Sequence, residues 1–303
     1  MLRSMYAGIS GMKGFQTKLD VIGNNIANVN TVGFKKGRVT FQDMMSQTMS
    51  GAQGPTATRG GVNASQVGLG SQVGSIDNVH TQGFRQTTGR PLDLALEGDG
   101  MFVVASDLKN NDGEATMKNI NLNQSNVSYT RAGNFYLDEE GSIVNPQGLY
   151  LIGFPAETNA DGETTINDAK KSVISIPDTA QSFNIQTNGT VTVIDKDGNT
   201  KTVGQVALAS FSNPGGLQKA GSNLFLNTEN AGLYDNEDTD YIDLKTPDTD
   251  GTATIVSGSL EMSNVDLATA FTEMIVAQRG FQANTRIITT SDEILQELVN
   301  LKR

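Results

Sequence analysis

Apolar residues recur with a helical period at the two ends of the chain. Near the N-terminus they fall three or four residues apart: Met5, Ile9, Met12, Phe15, Leu19, Ile22 and Ile26. Toward the C-terminus they are spaced by seven: Leu267, Met274, Phe281, Ile288 and Leu295. Such spacings are typical of helices that pack side by side. The pattern predicts one helix over about residues 4–27 and a second that begins after SGSLEMSNVD and runs to about residue 301. Ser263 or Asn264 is the predicted N-cap of the second helix.

The two helical stripes are candidate assembly surfaces. A chain that carries such helices only at its ends offers them to each other or to partners, which indicates an assembly subunit. Four glycines inside the first helix each cost about 1 kcal/mol relative to Ala, so we expect this helix to be ordered only when it is packed. The candidate interface residues are Met5, Ile9, Met12, Leu19, Ile22, Ile26, Leu267, Phe271, Met274, Phe281, Ile288 and Leu295.

Between the ends, apolar and polar residues alternate with period two in short runs bounded by Gly, Asn, Pro and Asp. This pattern predicts strands in antiparallel hairpins. Asn188-Gly189 and Asp197-Gly198 each lie between two alternating runs, which predicts a hairpin turn at each dipeptide. We expect the strands to end near residues 241–250. Residues 35–71 are rich in Gly, Ser and Thr, and predict an extended connector.

Composition narrows the classes of function. The 303 residues carry a formal net charge of -11, and because phosphate binding needs a basic face, no nucleic-acid partner is expected. The absence of cysteine excludes disulfides, thiolate metal sites and Cys nucleophiles. A late acidic segment is interpreted as solvated surface; it contains Asp235, Glu237, Asp238, Asp240, Asp243, Asp248 and Asp250.

Residue patterns that support catalysis or cofactor binding are sparse. The one histidine, His80, cannot complete a metal site alone. Residues 195–199 begin like a calcium loop, but no Glu closes the pattern, and an Asp-Gly turn explains it better. Glu97 and Asp99 flank a glycine, and a glycosidase needs two carboxylates facing each other across a cleft. We expect no enzyme activity, no cofactor and no metal; a glycan-processing enzyme is a remote alternative.

The N-terminal sequence MLRSMYAGISGMKGFQ does not predict a secretory signal, because no continuous apolar stretch precedes a small-residue cleavage site. No stretch approaches the roughly eighteen apolar residues of a membrane span, so membrane insertion is not expected. These features are compatible with a cytoplasmic protein or with export by a route that cleaves no signal.

Three segments resemble the bacterial flagellar rod and hook proteins. The first is NNIANVNTVGFK at 24–35, at the end of the first predicted helix. The second is YTRAGNF at 129–135, preceded by LDLALEGDGMFVV at 92–104, and the third begins with EMSNVD at 261–266. Their order and spacing fit, so the chain is identified as a member of this family. The motif positions are Asn24, Asn25, Asn28, Thr31, Gly33, Phe34 and Lys35.

The resemblance implies an α+β multidomain fold. Residues 1–34 and 259–303 would form a terminal helical assembly domain whose paired helices make an inner tube. Residues 35–71 would be an extended connector, and residues 72–258 an antiparallel β-rich outer domain.

Within the family, the opening residues and the following GRVTFQDMMSQT are most similar to the hook subgroup of Gram-positive bacteria. This implies a flexible tube that transmits torque; the straight distal rod is the alternative, and an extracellular adhesin is a remote one. The implied partners are further copies of the chain in a helical homopolymer, the distal rod protein, the hook cap, the hook-filament junction protein and the flagellar type III export apparatus. The implied location is the flagellum, at the hook or basal body.

Overall fold

The computed structural model describes residues 2–110, 114–158, 164–168, 170–232, 244–249 and 251–301. The chain divides into two compact units. The helical unit comprises the described parts of Met1–Val29, Lys36–Val79 and Val265–Arg303, and the β unit comprises those of Asn30–Lys35 and His80–Asn264.

The helical unit contains two long helices and four strands. The elements are α1 (Leu2–Ala27), β1 (Gly37–Asp43), β2 (Ser46–Ser50), β3 (Ser65–Gly68), β4 (Ser71–Asn78) and α2 (Leu267–Asn300). Strand β1 pairs antiparallel with β4, and β2 pairs antiparallel with β3. The stretch predicted as an extended connector therefore contains three strands, two of which pair as a hairpin.

Helix α2 begins at Leu267, directly after SGSLEMSNVD as predicted, but its N-cap differs from the predicted one. Its N-cap is Asp266, whose carboxylate accepts hydrogen bonds from the backbone N–H of Ala268 at 3.0 Å and from the hydroxyl of Thr269. These two bonds, with the Thr269 hydroxyl first, lower the pKa of the Asp266 carboxyl. The predicted caps, Ser263 and Asn264, belong to the β unit, so that prediction was wrong.

The β unit is built almost entirely of antiparallel strands. They are β5 (Arg85–Thr87), β6 (Leu94–Glu97), β7 (Met101–Ser106), β8 (Asn126–Thr130), β9 (Tyr136–Leu137), β10 (Ile143–Val144), β11 (Tyr150–Thr158), β12 (Thr164–Ile166), β13 (Ser172–Val173), β14 (Ala180–Ile185), β15 (Thr190–Asp195), β16 (Thr200–Val206), β17 (Leu208–Ala209), β18 (Gln218–Gly221), β19 (Leu224–Leu226), β20 (Thr254–Ser257) and β21 (Ser259–Glu261). The main sheet has the order β14-β15-β16-β11-β7-β8-β19-β18, while β20 pairs with β6 and β21 with β5.

Both predicted hairpin turns are confirmed. Asn188-Gly189 joins β14 to β15, and Asp197-Gly198 joins β15 to β16. In each loop the glycine N–H donates to the carbonyl three residues before it, Gly189 to Gln186 and Gly198 to Asp195, both at 2.9 Å. Each glycine has a positive φ, +78° and +77°, as the last residue of a three-residue hairpin loop requires.

Strand β7 separates two apolar layers. Its side chains alternate between the faces of the sheet, so Phe102 and Val104 join one core cluster and Met101, Val103 and Ala105 join the other. The alternating patterns of the middle region thus build a sheet that is covered on both faces near its centre.

The predicted fold class is confirmed: a helix lies at each end of the chain, and an antiparallel β-rich region lies between them. The expectation that strands end near residues 241–250 was wrong, because β20 and β21 follow. Of the acidic segment, only Asp248 lies within the described residues. The predicted domain boundaries at 34, 71 and 258 stay a prediction. Among the described residues, neither helix combines the length and apolar character that crossing a membrane requires.

Candidate assembly interface and motif segment

Helices α1 and α2 pack against each other in an antiparallel pair. A Cβ built on Gly8 would lie 3.4 Å from Cγ1 of Ile288, and one built on Gly280 would lie 2.6 Å from Cζ of Phe15. The Thr285 hydroxyl donates to the Met12 sulfur at 3.7 Å. As residue numbers rise along α1, the numbers of their partners on α2 fall, so the two helices run antiparallel.

Glycines allow the two helix backbones to approach closely. A Cβ on Gly11 would meet Nδ2 of Asn284 at 2.8 Å, and a Cβ on Gly280 would overlap the Phe15 ring. These separations are shorter than side-chain contacts allow, so the small residues supply the space in which the larger partners pack. The cost of glycine in a helix interior is offset by packing, as the sequence suggested.

The structure places the predicted interface residues of α1 along its packed side. Ile22 is buried, and the others are half-buried: Met5, Ile9, Met12, Leu19 and Ile26.

The predicted residues of α2 divide into two groups. Met274, Phe281, Ile288 and Leu295 are half-buried, whereas Leu267 and Phe271 are exposed. The most buried positions of α2 are the small residues Ala270, Ala277 and Ser291. Whether these side chains also contact further copies of the chain stays a prediction.

A second apolar stripe on α2 escaped the sequence analysis. It consists of Ile287, Ile294, Leu298 and Leu301, all exposed, with Ile287 at 44%; we call it the free stripe. Adjacent residues in a helix differ by about 100°, so the free stripe lies beside the stripe that contains Ile288. The sequence does contain a signal for the free stripe, because Ile287, Ile294 and Leu301 are spaced by seven.

The asparagines of the motif close the end of α1. The Asn28 amide donates to the backbone carbonyl and side-chain oxygen of Asn24, at 2.9 and 2.8 Å. The buried Asn25 amide donates to the Gly37 carbonyl at 2.8 Å and accepts from the Gly37 N–H at 2.9 Å. Asn25 thereby pairs with a backbone as a strand would, and fixes where β1 starts.

The second half of the motif belongs to the β unit. Gly33 has a φ of +69°, a left-handed conformation that glycine adopts easily after a helix end. Its N–H donates to the Glu261 carbonyl at 2.8 Å. The Phe34 N–H donates to the Thr31 carbonyl at 3.3 Å. Phe34 is buried, with the Lys219 ammonium 4.8 Å from its ring centroid. We call residues 30–35 the motif segment.

Lys35 lies in a buried cluster of charges that the sequence did not reveal. Its Nζ lies 2.6 Å from Oε1 of Glu261, and Nη1 of Arg131 lies 3.2 Å from Oε2 of the same carboxylate. The side chains of Lys35, Glu261 and Arg131 are 1%, 2% and 5% exposed. Spacing could not have indicated this cluster, because its members come from the three separate motif regions.

Burial controls the electrostatics around this cluster. It lowers the pKa of Lys35, and the nearby Glu261 carboxylate only partly opposes that shift. Half-buried His80 packs against Phe225, with ring centroids 5.4 Å apart. Burial, with the Lys35, Arg131 and Lys219 charges, lowers the pKa of His80 to about 4. Among the described residues, neither ring nitrogen of His80 has a hydrogen-bond partner, so His80 is neutral at physiological pH.

The two carboxylates considered for an enzyme are both exposed. Glu97 ends β6 and pairs with the exposed Arg85 guanidinium at 3.2 Å. Asp99 lies two residues further along the exposed turn. Their surroundings are those of surface residues.

Three family models match the chain. They are the flagella basal body rod protein over residues 5–35, the flagellar hook protein FlgE/F/G D1 domain over 95–193, and the flagellar basal body rod FlgEFG protein C-terminal region over 256–301. The matches contain the motif at 24–35, the strand motif at 129–135 and the C-terminal block.

Several curated proteins are similar along their whole length. The flagellar basal-body rod protein FlgG of Bacillus subtilis is 52% identical over 303 residues, covering 100% of both chains. FlgG of Caulobacter vibrioides is 34% identical, covering 99% of this chain and 100% of its own. The flagellar hook protein FlgE of Borreliella burgdorferi is 32% identical over 467 residues, covering 100% of both.

A solved structure, that of Helicobacter pylori flagellar hook protein FlgE2, is 13% identical, with a TM-score of 0.21, and the match covers 67% of this chain and 47% of that one. So low a score carries no argument about this fold. The hook subgroup predicted from the opening residues is not confirmed, since both rod and hook proteins match. The full-length identities and the three family models show that the chain belongs to the flagellar basal-body rod and hook family, whose members are structural proteins that form the rod and hook polymers of the flagellum.

Proposed function

We propose that the chain is a subunit of the flagellar rod and that its copies polymerise into a helical tube through the free stripe of α2. The observation that carries this proposal is that α2 has two apolar faces, of which α1 covers one. The other, at Ile287, Ile294, Leu298 and Leu301, is exposed. Contiguous exposed apolar surface favours association, because covering it removes it from water.

An open polymer follows from an interface of this kind. A contact between two different surfaces of identical subunits, repeated without closing, generates a helical filament. In this arrangement the buried and half-buried members of the predicted interface hold α1 and α2 together within one copy, and the free stripe contacts a different surface of the next copy.

Chain length supports the rod over the hook. The FlgG relatives align over 303 to 312 residues when matched end to end, close to the 303 residues of this chain. The alignments to the hook proteins of Borreliella burgdorferi and Treponema pallidum extend over 467 and 489 positions. Those hook proteins therefore carry long stretches that have no counterpart here.

The hook is a second candidate, on two observations. Both hook proteins match over 100% of this chain, at 32% and 28% identity. The opening residues also resemble the Gram-positive hook subgroup. A flexible joint would need weak, wet contacts between the β units of neighbouring copies.

The partners of the proposed subunit are further copies of the chain and the neighbouring parts of the flagellum. For the hook candidate, family resemblance implies that these are the distal rod protein, the hook cap and the hook-filament junction protein. Export would use the flagellar type III apparatus without a cleaved signal. No nucleic-acid partner, membrane insertion or cofactor belongs to this proposal.

Electron microscopy of isolated hook-basal bodies tests the proposal. An epitope inserted into the exposed turn at residues 54–61, between β2 and β3, can be labelled with antibody, and an untagged strain is the control. We expect label on the straight segment within the cell envelope once the outer structures are removed. Label on a curved tube outside the envelope would select the hook, and label on the cell surface away from flagella would overturn both.

A further inference from the structure

Glu261 is the centre of a buried hydrogen-bond cluster in the β unit. Its Oε1 accepts from Nζ of Lys35 at 2.6 Å and from the backbone N–H of Gly83 at 2.9 Å. Its Oε2 accepts from Nη1 of Arg131 at 3.2 Å. The carboxylate thus holds three donors from three distant parts of the chain.

The cluster carries more positive than negative charge. Two cations, Lys35 and Arg131, face the single buried carboxylate of Glu261. Both cations have one further oxygen: Lys35 Nζ donates to the Thr81 carbonyl and Arg131 Nη2 to the Gly98 carbonyl, each at 2.8 Å. Carbonyls satisfy hydrogen bonds but do not cancel charge, so the Glu261 carboxylate is the buried counter-charge for both cations. The exposed Asp99 carboxylate adds a weaker attraction to Lys35.

The same place is where the two ends of the chain join the β unit. The Gly33 N–H donates to the Glu261 carbonyl at 2.8 Å, and the Asn264 N–H donates to the Phe34 carbonyl at 3.4 Å. The motif segment therefore lies against residues 261–264 through both its backbone and the Lys35 side chain. Only two residues separate each segment from its helix in the sequence: residues 28–29 follow α1 and residues 265–266 precede α2.

We propose that Glu261 couples the docking of the two chain ends: the motif segment stays in the β unit only when residues 259–264 have placed the Glu261 carboxylate between Lys35 and Arg131. Without the Glu261 carboxylate, docking would bury two like charges with no buried counter-charge, which is strongly unfavourable. The motif segment, which follows α1, and residues 259–264, which precede α2, therefore dock on the β unit in a single cooperative step. This inference is independent of whether the subunit belongs to the rod or to the hook.

Hydrogen exchange of the full chain, read by mass spectrometry on peptides that contain Gly33 and Phe34, tests the coupling. Glu261→Gln keeps the size of the side chain and removes its charge. We expect exchange in the motif segment to rise at least about 100-fold, the scale on which breaking a buried ion pair acts, while β15 stays protected. Glu97→Gln is the matched control, because its pair with Arg85 is exposed and should leave exchange unchanged.

The double variant Lys35→Met/Glu261→Gln separates charge from shape. Because the double variant lacks one of the two uncompensated cations, its motif segment should exchange at least about tenfold more slowly than in Glu261→Gln. If Glu261→Gln prevents folding, recovery of the folded β unit in the double variant is the supporting result. Unchanged motif-segment exchange in Glu261→Gln, or a double variant no better than that single variant, overturns the proposal.

Discussion

Nζ of Lys35 lies 2.6 Å from Oε1 of Glu261, although 226 residues separate them in the sequence. One belongs to the motif segment and the other ends β21. A contact between residues so far apart in the sequence closes a very large loop, and the entropy cost of closing a loop grows slowly with its size. Because the ion pair is buried, it contributes to the stability of the β unit. It also joins the motif segment to β21.

Gly33→Ala should destabilise the β unit by two separate effects. A φ of +69° costs an L-residue about 1–2 kcal/mol, and the new Cβ would lie 2.6 Å from the Ala132 N. Gly198→Ala is the control, because Gly198 has a φ of +77° with no atom within 4 Å of the built Cβ. Urea unfolding should therefore show a larger loss for Gly33→Ala, and equal losses would mean that the backbone moves aside.

Leu298→Asp should block polymerisation and leave the monomer folded, because Leu298 belongs to the exposed free stripe. Ile288→Asp should instead disturb the α1–α2 pair, because Ile288 packs against the Gly8 region. Burying an unpaired charge costs several kcal/mol, and the cost recurs at every subunit contact. Light scattering reports the polymer, and circular dichroism at 222 nm reports the helices of the monomer.

Thr289→Asp is the charge control for this pair, since residue 289 is exposed and lies on the opposite side of α2 from the free stripe. It should polymerise normally. Tubes of ordinary length from Leu298→Asp would show that the free stripe is not the contact between copies.

The same substitution should have opposite effects at two helix glycines. Gly23→Ala should raise helix stability by up to about 1 kcal/mol, because no atom lies within 4 Å of a Cβ built there. Gly280→Ala should lower the stability of the helix pair, because its Cβ would lie 2.6 Å from the Phe15 ring. Thermal melts at 222 nm measure both, and a stabilised Gly280→Ala would show that the Phe15 ring can move without cost.

Mild acid should destabilise the β unit through His80. The pKa of His80 is lowered from 6.5 to about 4 in the folded chain, so between these values the unfolded chain binds more protons. Stability is then retained above pH 6.5 and lost as the pH falls toward 4, by up to about 3 kcal/mol. In His80→Leu, the unfolding free energy measured with urea between pH 4 and 7 should no longer contain this pH-dependent loss. If it falls with pH as steeply as in the wild type, other groups cause the effect.

Local features of the chain were predictable because they depend on neighbouring residues. Helical spacing determined α1 and α2, and the Asn-Gly and Asp-Gly dipeptides determined the hairpins around β15. The positive φ of Gly33 followed from its place after a helix end. The motif at 24–35 also indicated the family, since a long match of residue types in order is specific.

Tertiary structure decided which of several local options was used. Asn264 is a good N-cap by residue type, but its amide donates to the Thr81 carbonyl at 3.3 Å and hydroxyl at 3.0 Å, and Asp266 caps α2 instead. Likewise α1 covers one apolar face of α2 and leaves the free stripe exposed, a choice that periodicity alone does not make. The cluster of Lys35, Arg131 and Glu261 lay furthest beyond sequence reasoning, because only the folded sheet brings three charges from distant segments into one place that excludes water.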